Sequence, residues 1–235
     1  MSTLVRLFGT FKKMKKKVLL LAVYSLLFCL NKGFAQKRIS EGTISYDIRV
    51  NTGNSNPSLA DMFDGATSVV YLKGYMSRFE MVSSLGVQST IIDSKTGSIN
   101  VLKEYGEQKY MITMTQNNWK DANKKYQDIS FTYLEEYKDI AGYKCQKATA
   151  KLADGSVFNV FFTKEIVADH RDFEYAYRSL PGLAMEYETT IGTLKVTYTV
   201  AKVSFNIVPA IKFELPKTGF RVMTYEESKG LGTNN

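Results

Sequence analysis

The sequence predicts a mainly β fold (α+β in the broad sense), an antiparallel sheet with one to three short helices. Three observations carry this reading. Apolar and polar residues alternate at period two in one segment after another. Glycine-bearing turn signals separate those segments at short intervals. Helical periodicity is confined to a few short stretches.

From 42 to 50, Ile44, Tyr46, Ile48 and Val50 fall on one face, and Thr43, Ser45, Asp47 and Arg49 on the other. That is the pattern of a half-buried antiparallel strand. Ile129, Phe131 and Tyr133 repeat it, as do Phe158, Val160 and Phe162, then Leu183, Met185, Tyr187 and Ile191, then Leu194, Val196, Tyr198 and Val200. The apolar phase next changes parity, to Val203, Phe205 and Ile207. One extra residue near Ala201-Lys202 would restore the inward face, so a β-bulge or a strand break is expected there. Asp154-Gly155, between KATAKLA and SVFNVFF, suits a type I′ hairpin turn. Lys73-Gly74, Leu85-Gly86, Thr96-Gly97 and Ile191-Gly192 mark further reversals.

Residues 117–126 (NNWKDANKKY) read as a helix with an Asn cap and with Trp119, Ala122 and Tyr126 on one face. Residues 57–64 read as another short helix. The stretches 51–65 and 164–181 read as long polar connections. Such segments often cover a site or a barrel mouth; a mobile surface loop is the equally open alternative. The tail 226–235 is expected to be flexible.

The chain of 235 residues has 31 Lys+Arg against 23 Asp+Glu, a formal net charge of +8, with one His, one Trp and two Cys. At 44% hydrophobic and 13% aromatic residues it is too apolar for a disordered chain. Two Cys exclude a disulfide scaffold, and one His excludes a multi-histidine metal site. The charge is unevenly placed. Arg6, Lys12, Lys13, Lys15, Lys16, Lys17 and Lys32 lie in the first 35 residues, which hold no acid. Lys15 to Lys17 precede an apolar run, 18–30, that falls short of the roughly 20 residues a spanning helix needs. The run ends in Gly33-Phe34-Ala35.

A basic start, a short apolar run and a small-x-small site predict a secretory signal peptide over 1–35, cut between Ala35 and Gln36, with Met14 as an alternative start. A membrane anchor and a lipidated Cys29 are the competing readings, and the bulky Phe28 before Cys29 argues against the second. Without the leader, 24 basic residues face 23 acidic ones. A nucleic-acid partner is therefore not expected. The expected organisation is a single β-rich domain over 36–225, with no transmembrane span once the leader is gone, in the periplasm, secreted or associated with the outer membrane.

A search for catalytic patterns finds none. His170 is the lone imidazole and no G-x-S-x-G elbow accompanies it. No H-E-x-x-H, Walker loop, C-x-x-C or strand-borne G-x-G-x-x-G occurs. The charged run 169–172 (DHRD) reads as a solvated loop, Lys120, Lys124 and Lys125 as a solvated helix surface, and Cys145 as buried and inert. No catalytic residue, cofactor or metal ligand is assigned, and a non-enzyme is expected. The aromatic residues lie largely on inward strand faces. A curved sheet wrapped around a helix can leave an apolar cavity, for which Phe131, Tyr133, Phe158, Phe162, Met185 and Tyr187 are the candidate lining.

Three landmarks carry a family resemblance: Ser179-Leu180-Pro181-Gly182-Leu183-Ala184, Ile140-Ala141-Gly142-Tyr143-Lys144-Cys145, and Phe213-Glu214-Leu215-Pro216-Lys217-Thr218-Gly219-Phe220. Their type and order resemble the GLPGLI family of exported Bacteroidetes proteins, with Ser179 and Ala184 departing from the motif. The resemblance implies an envelope or secreted location and a half-open antiparallel barrel similar to LolA-like carriers. It carries no activity, and lipid carriage follows only by analogy of fold. The residues themselves read as a loop-to-strand entry: Pro181 holds Leu180 extended, Gly182 takes positive φ, and Leu183 enters the core face. The expected function is a non-enzymatic module that binds a lipid or other apolar ligand. The alternative is a structural or interaction protein of the envelope with a filled core and no ligand.

Overall fold

The alternating segments form the strands of a computed structural model that describes residues 36–51, 65–191 and 194–231. In chain order these are β1 (Lys37–Ile39), β2 (Glu41–Asn51), β3 (Thr67–Lys73), β4 (Met76–Ser83), β5 (Gly86–Asp93), β6 (Ser98–Tyr105) and β7 (Gln108–Met114). After one helix come β8 (Ser130–Ile140), β9 (Tyr143–Lys151), β10 (Val157–Thr163), β11 (Ile166–Ala168), β12 (Leu183–Ile191), β13 (Leu194–Ser204) and β14 (Arg221–Thr224). Twelve of them make one open sheet in the order β14-β7-β6-β5-β4-β3-β2-β13-β12-β10-β9-β8. Only the β14–β7 pair is parallel. The sheet does not close on itself, and β14 and β8 are its edges. β1 and β11 pair separately, in parallel. Among the described residues no helix is long and apolar enough to cross a membrane.

The parity change in β13 is a bulge. Val200 lies opposite Tyr46 and Lys202 opposite Ser45, which leaves Ala201 without a partner across the ladder. The skipped residue returns Val203 to the register of Ile44 on β2, so the same face stays buried on both sides of it. The reversals at Gly74 and Gly97 also form, at φ 56° and 74°, and Ser83 pairs with Gly86 across the β4–β5 turn. Gly192 lies outside the described residues, as does the expected helix over 57–64.

The β9–β10 hairpin forms at Asp154-Gly155, but its turn is not type I′. That type needs positive φ at both central residues, and here Gly155 alone has it, at 85°. The Gly155 N–H donates to the Leu152 carbonyl and the Leu152 N–H to the Ser156 carbonyl, a longer loop in which Asp154 Oδ1 accepts from the Ser156 N–H. The tighter turn is Ala141-Gly142, between paired Ile140 and Tyr143. There both residues have positive φ, 50° and 83°.

Helix α1 covers Gln116–Ala122 and starts earlier than the Asn-cap reading places it. Thr115 Oγ1 accepts from the Asn118 N–H at 3.2 Å, and Asn118 Oδ1 accepts from the Thr115 N–H at 2.9 Å. This reciprocal pair satisfies two end donors that Asn117 would leave open. The helix stops at Asn123, whose side chain donates to the Trp119 carbonyl, and a 3₁₀ turn follows over Lys124–Tyr126. Trp119 and Tyr126 therefore do not share a face. Trp119 packs on the β5–β7 core, and Tyr126 on the cluster around Val160 and Phe162.

The flexible tail is corrected over its first part, because Tyr225–Leu231 form a helix, α2. Thr224 and Glu227 make the same kind of reciprocal cap, and Lys229 and Tyr225 both reach Asp121 on α1. Residues 232–235 lie outside the described residues. Segment 164–181 is not a mobile loop either. It carries β11 and a 3₁₀ turn over Asp172–Tyr177, and Glu174, Tyr175, Ala176, Tyr177 and Leu180 are all buried.

Ala141 is the single non-glycine residue with positive φ among the described residues. Left-handed backbone costs an L-residue with a Cβ roughly 1–2 kcal/mol, and Asn tolerates it better. Ala141→Asn is therefore expected to raise the unfolding free energy by about 0.5–1 kcal/mol. A higher urea midpoint at unchanged m-value checks this.

Candidate functional site

Segment 164–182 crosses the sheet as a strap, and Arg171 fastens it. Its Nε donates to Glu174 Oε1 at 2.5 Å. Nη1 donates to the carbonyls of Arg178 and Leu180 at 3.0 and 2.6 Å. Nη2 donates to those of Tyr177 and Gly182 at 2.8 and 2.7 Å. All five guanidinium N–H groups are thus used. The side chains of Arg171 and Glu174 are 14% and 6% exposed. The DHRD run is accordingly not a solvated loop, since Arg171 turns inward to four strap carbonyls, of which only that of Tyr177 also accepts from a strap N–H, that of Leu180, among the backbone bonds outside helices and strands.

The carbonyls that Arg171 gathers include two from the 179–184 motif. Leu180, Leu183 and Ala184 are buried, while Ser179 and Pro181 are exposed. The motif is a loop-to-strand entry, since β12 begins at Leu183. The requirement for Gly182 is different from the expected one. Its φ is not positive. A Cβ at this position would lie 1.8 Å from the Thr163 carbonyl oxygen, so the strap reaches the end of β10 only where no side chain intervenes.

Under the strap lies a cavity of about 160 Å³. Tyr46 of β2, Phe79 of β4, Tyr187 of β12, and Phe173 and Tyr177 of the strap contribute its aromatic walls, with Glu174 and Trp119 also lining it. Tyr187 stacks on Tyr198 at 5.1 Å between ring centroids and lies 4.7 Å from Tyr177, while Tyr46 meets Tyr187 edge-on at 5.9 Å.

Burial sets the protonation of this cluster. It raises Tyr46, Tyr177 and Tyr187 well above the ordinary tyrosine range and pushes Tyr198 up to about 12. These hydroxyls stay neutral near pH 7, so they offer ring faces and hydrogen bonds rather than a base. Burial also raises Glu174 above the usual carboxylate value, and it outweighs the opposing pull of Arg171 and of the nearby Ala184 N–H. Glu174 Oε2 and Trp119 Nε1 are buried and have no hydrogen-bond partner.

Of the six expected lining residues, Phe131, Phe158, Phe162 and Tyr187 share one packed cluster, but only Tyr187 lines this cavity and Met185 lies in a different cluster. Tyr187 lines the cavity, and Phe158 lines a separate surface pocket near Lys195 and Asp154. Phe131 and Phe158 pack on the cluster around Val160 and Phe162. Tyr133 is 48% exposed, with its ring 5.5 Å from that of Phe162. Phe162 and Met185 are fully buried in different clusters. A bulge divides them: Phe161 pairs with Glu186 and Phe162 with Ala184, so Met185 is skipped and leaves the face shared by Phe162 and Tyr187.

His170 sits against Tyr75, ring centroids 4.5 Å apart. Its carboxylate neighbours are engaged elsewhere, Asp169 by Arg38 and Asp172 by Ser94. The Cys145 thiol is buried and donates to the Tyr143 carbonyl, and burial pushes its pKa up to about 12. A thiol so placed is a poor nucleophile. Among the described residues no group of three or more His, Cys, Asp or Glu side chains is placed to hold a metal. Sequence reasoning missed Arg171, Glu174 and Trp119. The available signal was an i,i+3 Arg–Glu pair set directly against the aromatic run FEYAY.

The family described as Domain of unknown function (DUF4412) matches residues 60–182. No curated protein matches the chain. Among solved structures it is similar to "Structure of PNGF-II in P21 space group", at 11% identity and a TM-score of 0.46, over 83% of this chain and 34% of that one. It is also similar to an uncharacterized conserved protein from Thermus thermophilus, at 8% identity and a TM-score of 0.45, over 79% and 91% of the two chains. The chain spans about a third of the length of PNGF-II. Likenesses this loose carry no argument about the site.

Two outcomes follow from the Arg171–Glu174 pair. Arg171→Lys replaces a five-donor fork by a point charge that cannot reach four carbonyls and a carboxylate together. It is expected to cost about 3 kcal/mol of stability in chemical denaturation, the scale of a broken buried pair. Glu174, whose folded pKa is raised, favours folding fully below its ordinary value of 4.5, and that contribution is lost as pH rises through the folded pKa. Glu174→Gln lacks this titration. Its stability relative to the parent should therefore improve as pH rises above about 4.5, read as the difference in midpoint between the two proteins across a pH series.

Proposed function

The chain belongs to the DUF4412 family, and on that premise we propose that it is an exported, non-enzymatic binding module for a hydrophobic ligand. The observation that carries the reading is the tyrosine-lined cavity beneath the strap. Its tyrosine rings are neutral at physiological pH and supply most of its contact area, with Glu174 as the carboxylate in its lining. At about 160 Å³ it lies below the roughly 300–1,000 Å³ of drug-sized ligand sites. It therefore suits a compact apolar molecule or the end of one lipid chain, not a whole two-chain lipid. The open antiparallel sheet and the three GLPGLI-like landmarks support a relation to LolA-like carriers. The basic, acid-free leader over 1–35 supports delivery to the periplasm, the outer membrane or the medium.

A second reading has its own support. Ile207 and Ile211 are 83% and 69% exposed on the segment after β13, which suits a protein that works through its surface with a filled core.

The two readings part on ligand occupancy. The purified protein is extracted with organic solvent for mass spectrometry, then titrated with a fluorescent fatty acid and with toluene. A co-purifying apolar compound, or saturable binding of either probe, is the expected result. Repeated clean extracts together with no binding of either probe overturn the binding module in favour of the surface reading.

A further inference from the structure

The cavity is not purely apolar. Two of its wall residues bear buried polar atoms of opposite hydrogen-bonding sense, neither of which has a partner. Glu174 is 8% exposed, and its Oε1 is taken by Arg171; the Ala184 N–H lies near the carboxylate, but Oε2 makes no well-formed hydrogen bond and keeps acceptor capacity. Trp119 lies on α1, and its indole N–H is an unused donor. Unmet buried polar groups cost about 1–3 kcal/mol each, so a guest that satisfies both is favoured over a purely apolar one. The walls supply ring faces from Tyr46, Tyr177 and Tyr187. The volume matches the roughly 150 Å³ of apolar cavities that admit one benzene ring.

Resting on the binding-module reading, we propose that this cavity takes a single-ring aromatic alcohol, with its hydroxyl donating to Glu174 Oε2 and accepting from the Trp119 indole N–H. A hydroxyl is the smallest group that does both. Both atoms are buried rather than exposed, so the proposal requires the two side chains to turn toward the ligand as it enters.

Trp119 is the single tryptophan of the chain, so one indole N–H resonance reports the contact without assignment. The full protein is titrated with 4-methylphenol and, separately, with toluene, which has nearly the same shape and no hydroxyl. The phenol should bind at least about tenfold tighter and shift the indole resonance downfield, and toluene should leave that resonance nearly unmoved. Trp119→Phe should abolish the preference while toluene binding continues, which also shows that the variant is folded. Should the variant not fold, the indole shift in the unmodified protein decides.

Equal binding of the two probes overturns the aromatic-alcohol assignment and leaves the apolar binding module standing. The assignment also falls if neither probe binds, the result expected of a cavity that holds ordered water only. The fatty-acid titration then decides the broader reading separately.

Discussion

A guanidinium brings five N–H donors into whatever space it enters, and burying one is costly unless each finds an acceptor. Arg171 meets that condition with one carboxylate and four carbonyls, all within its own strap. A segment of irregular backbone cannot pair its own carbonyls in a ladder, and buried carbonyls must be paired. Arg171 therefore lets a non-repetitive stretch lie on a sheet as part of the core. The tyrosines under the strap, the entry into β12 and the close approach of Gly182 to Thr163 all presuppose that it is held down.

The chemistry of the interior follows from the same pair. Glu174 is present because Arg171 needs a counter-charge, yet the fork takes only one of its oxygens. The carboxylate is thus drawn two ways, toward the anion by Arg171 and toward the acid by burial, and burial dominates. Around it the low-dielectric setting keeps the phenols protonated. An interior of this kind presents ring faces and neutral hydroxyls around one buried carboxylate.

What was legible in the sequence was whatever depends on near neighbours along the chain. Ile44, Tyr46 and the phase change at Ala201 are period-two features, and sheet, face and bulge follow from them. The hairpin at Gly155 was legible in place but not in type, because the number of positive φ angles depends on loop length rather than on the Asp-Gly pair alone. The strap was not legible. Its residues are charged and aromatic with no simple period, and a surface loop has the same composition. Burial of Arg171 rests on five acceptors, four of which become available only when 177–182 turns back over it. Met185 leaves the expected group for a related reason: the bulge there involves two strands, and no apolar pattern within β12 alone encodes it.

These placements separate the motif from the chemistry. Leu180 and Leu183 fill core positions, Gly182 permits a close approach, and the carbonyls of Leu180 and Gly182 serve Arg171. Of the six motif residues only Ala184 lines the cavity. The polar and aromatic lining residues, Glu174, Trp119 and the tyrosines, lie outside the motif on the strap, on α1 and on strands far apart in sequence. In this chain the motif therefore serves the closure of the strap over the sheet. The cavity beneath is lined almost wholly by residues outside the motif, and Glu174 and Tyr177 belong both to that lining and to the partners of Arg171, so cavity and closure are built from shared residues.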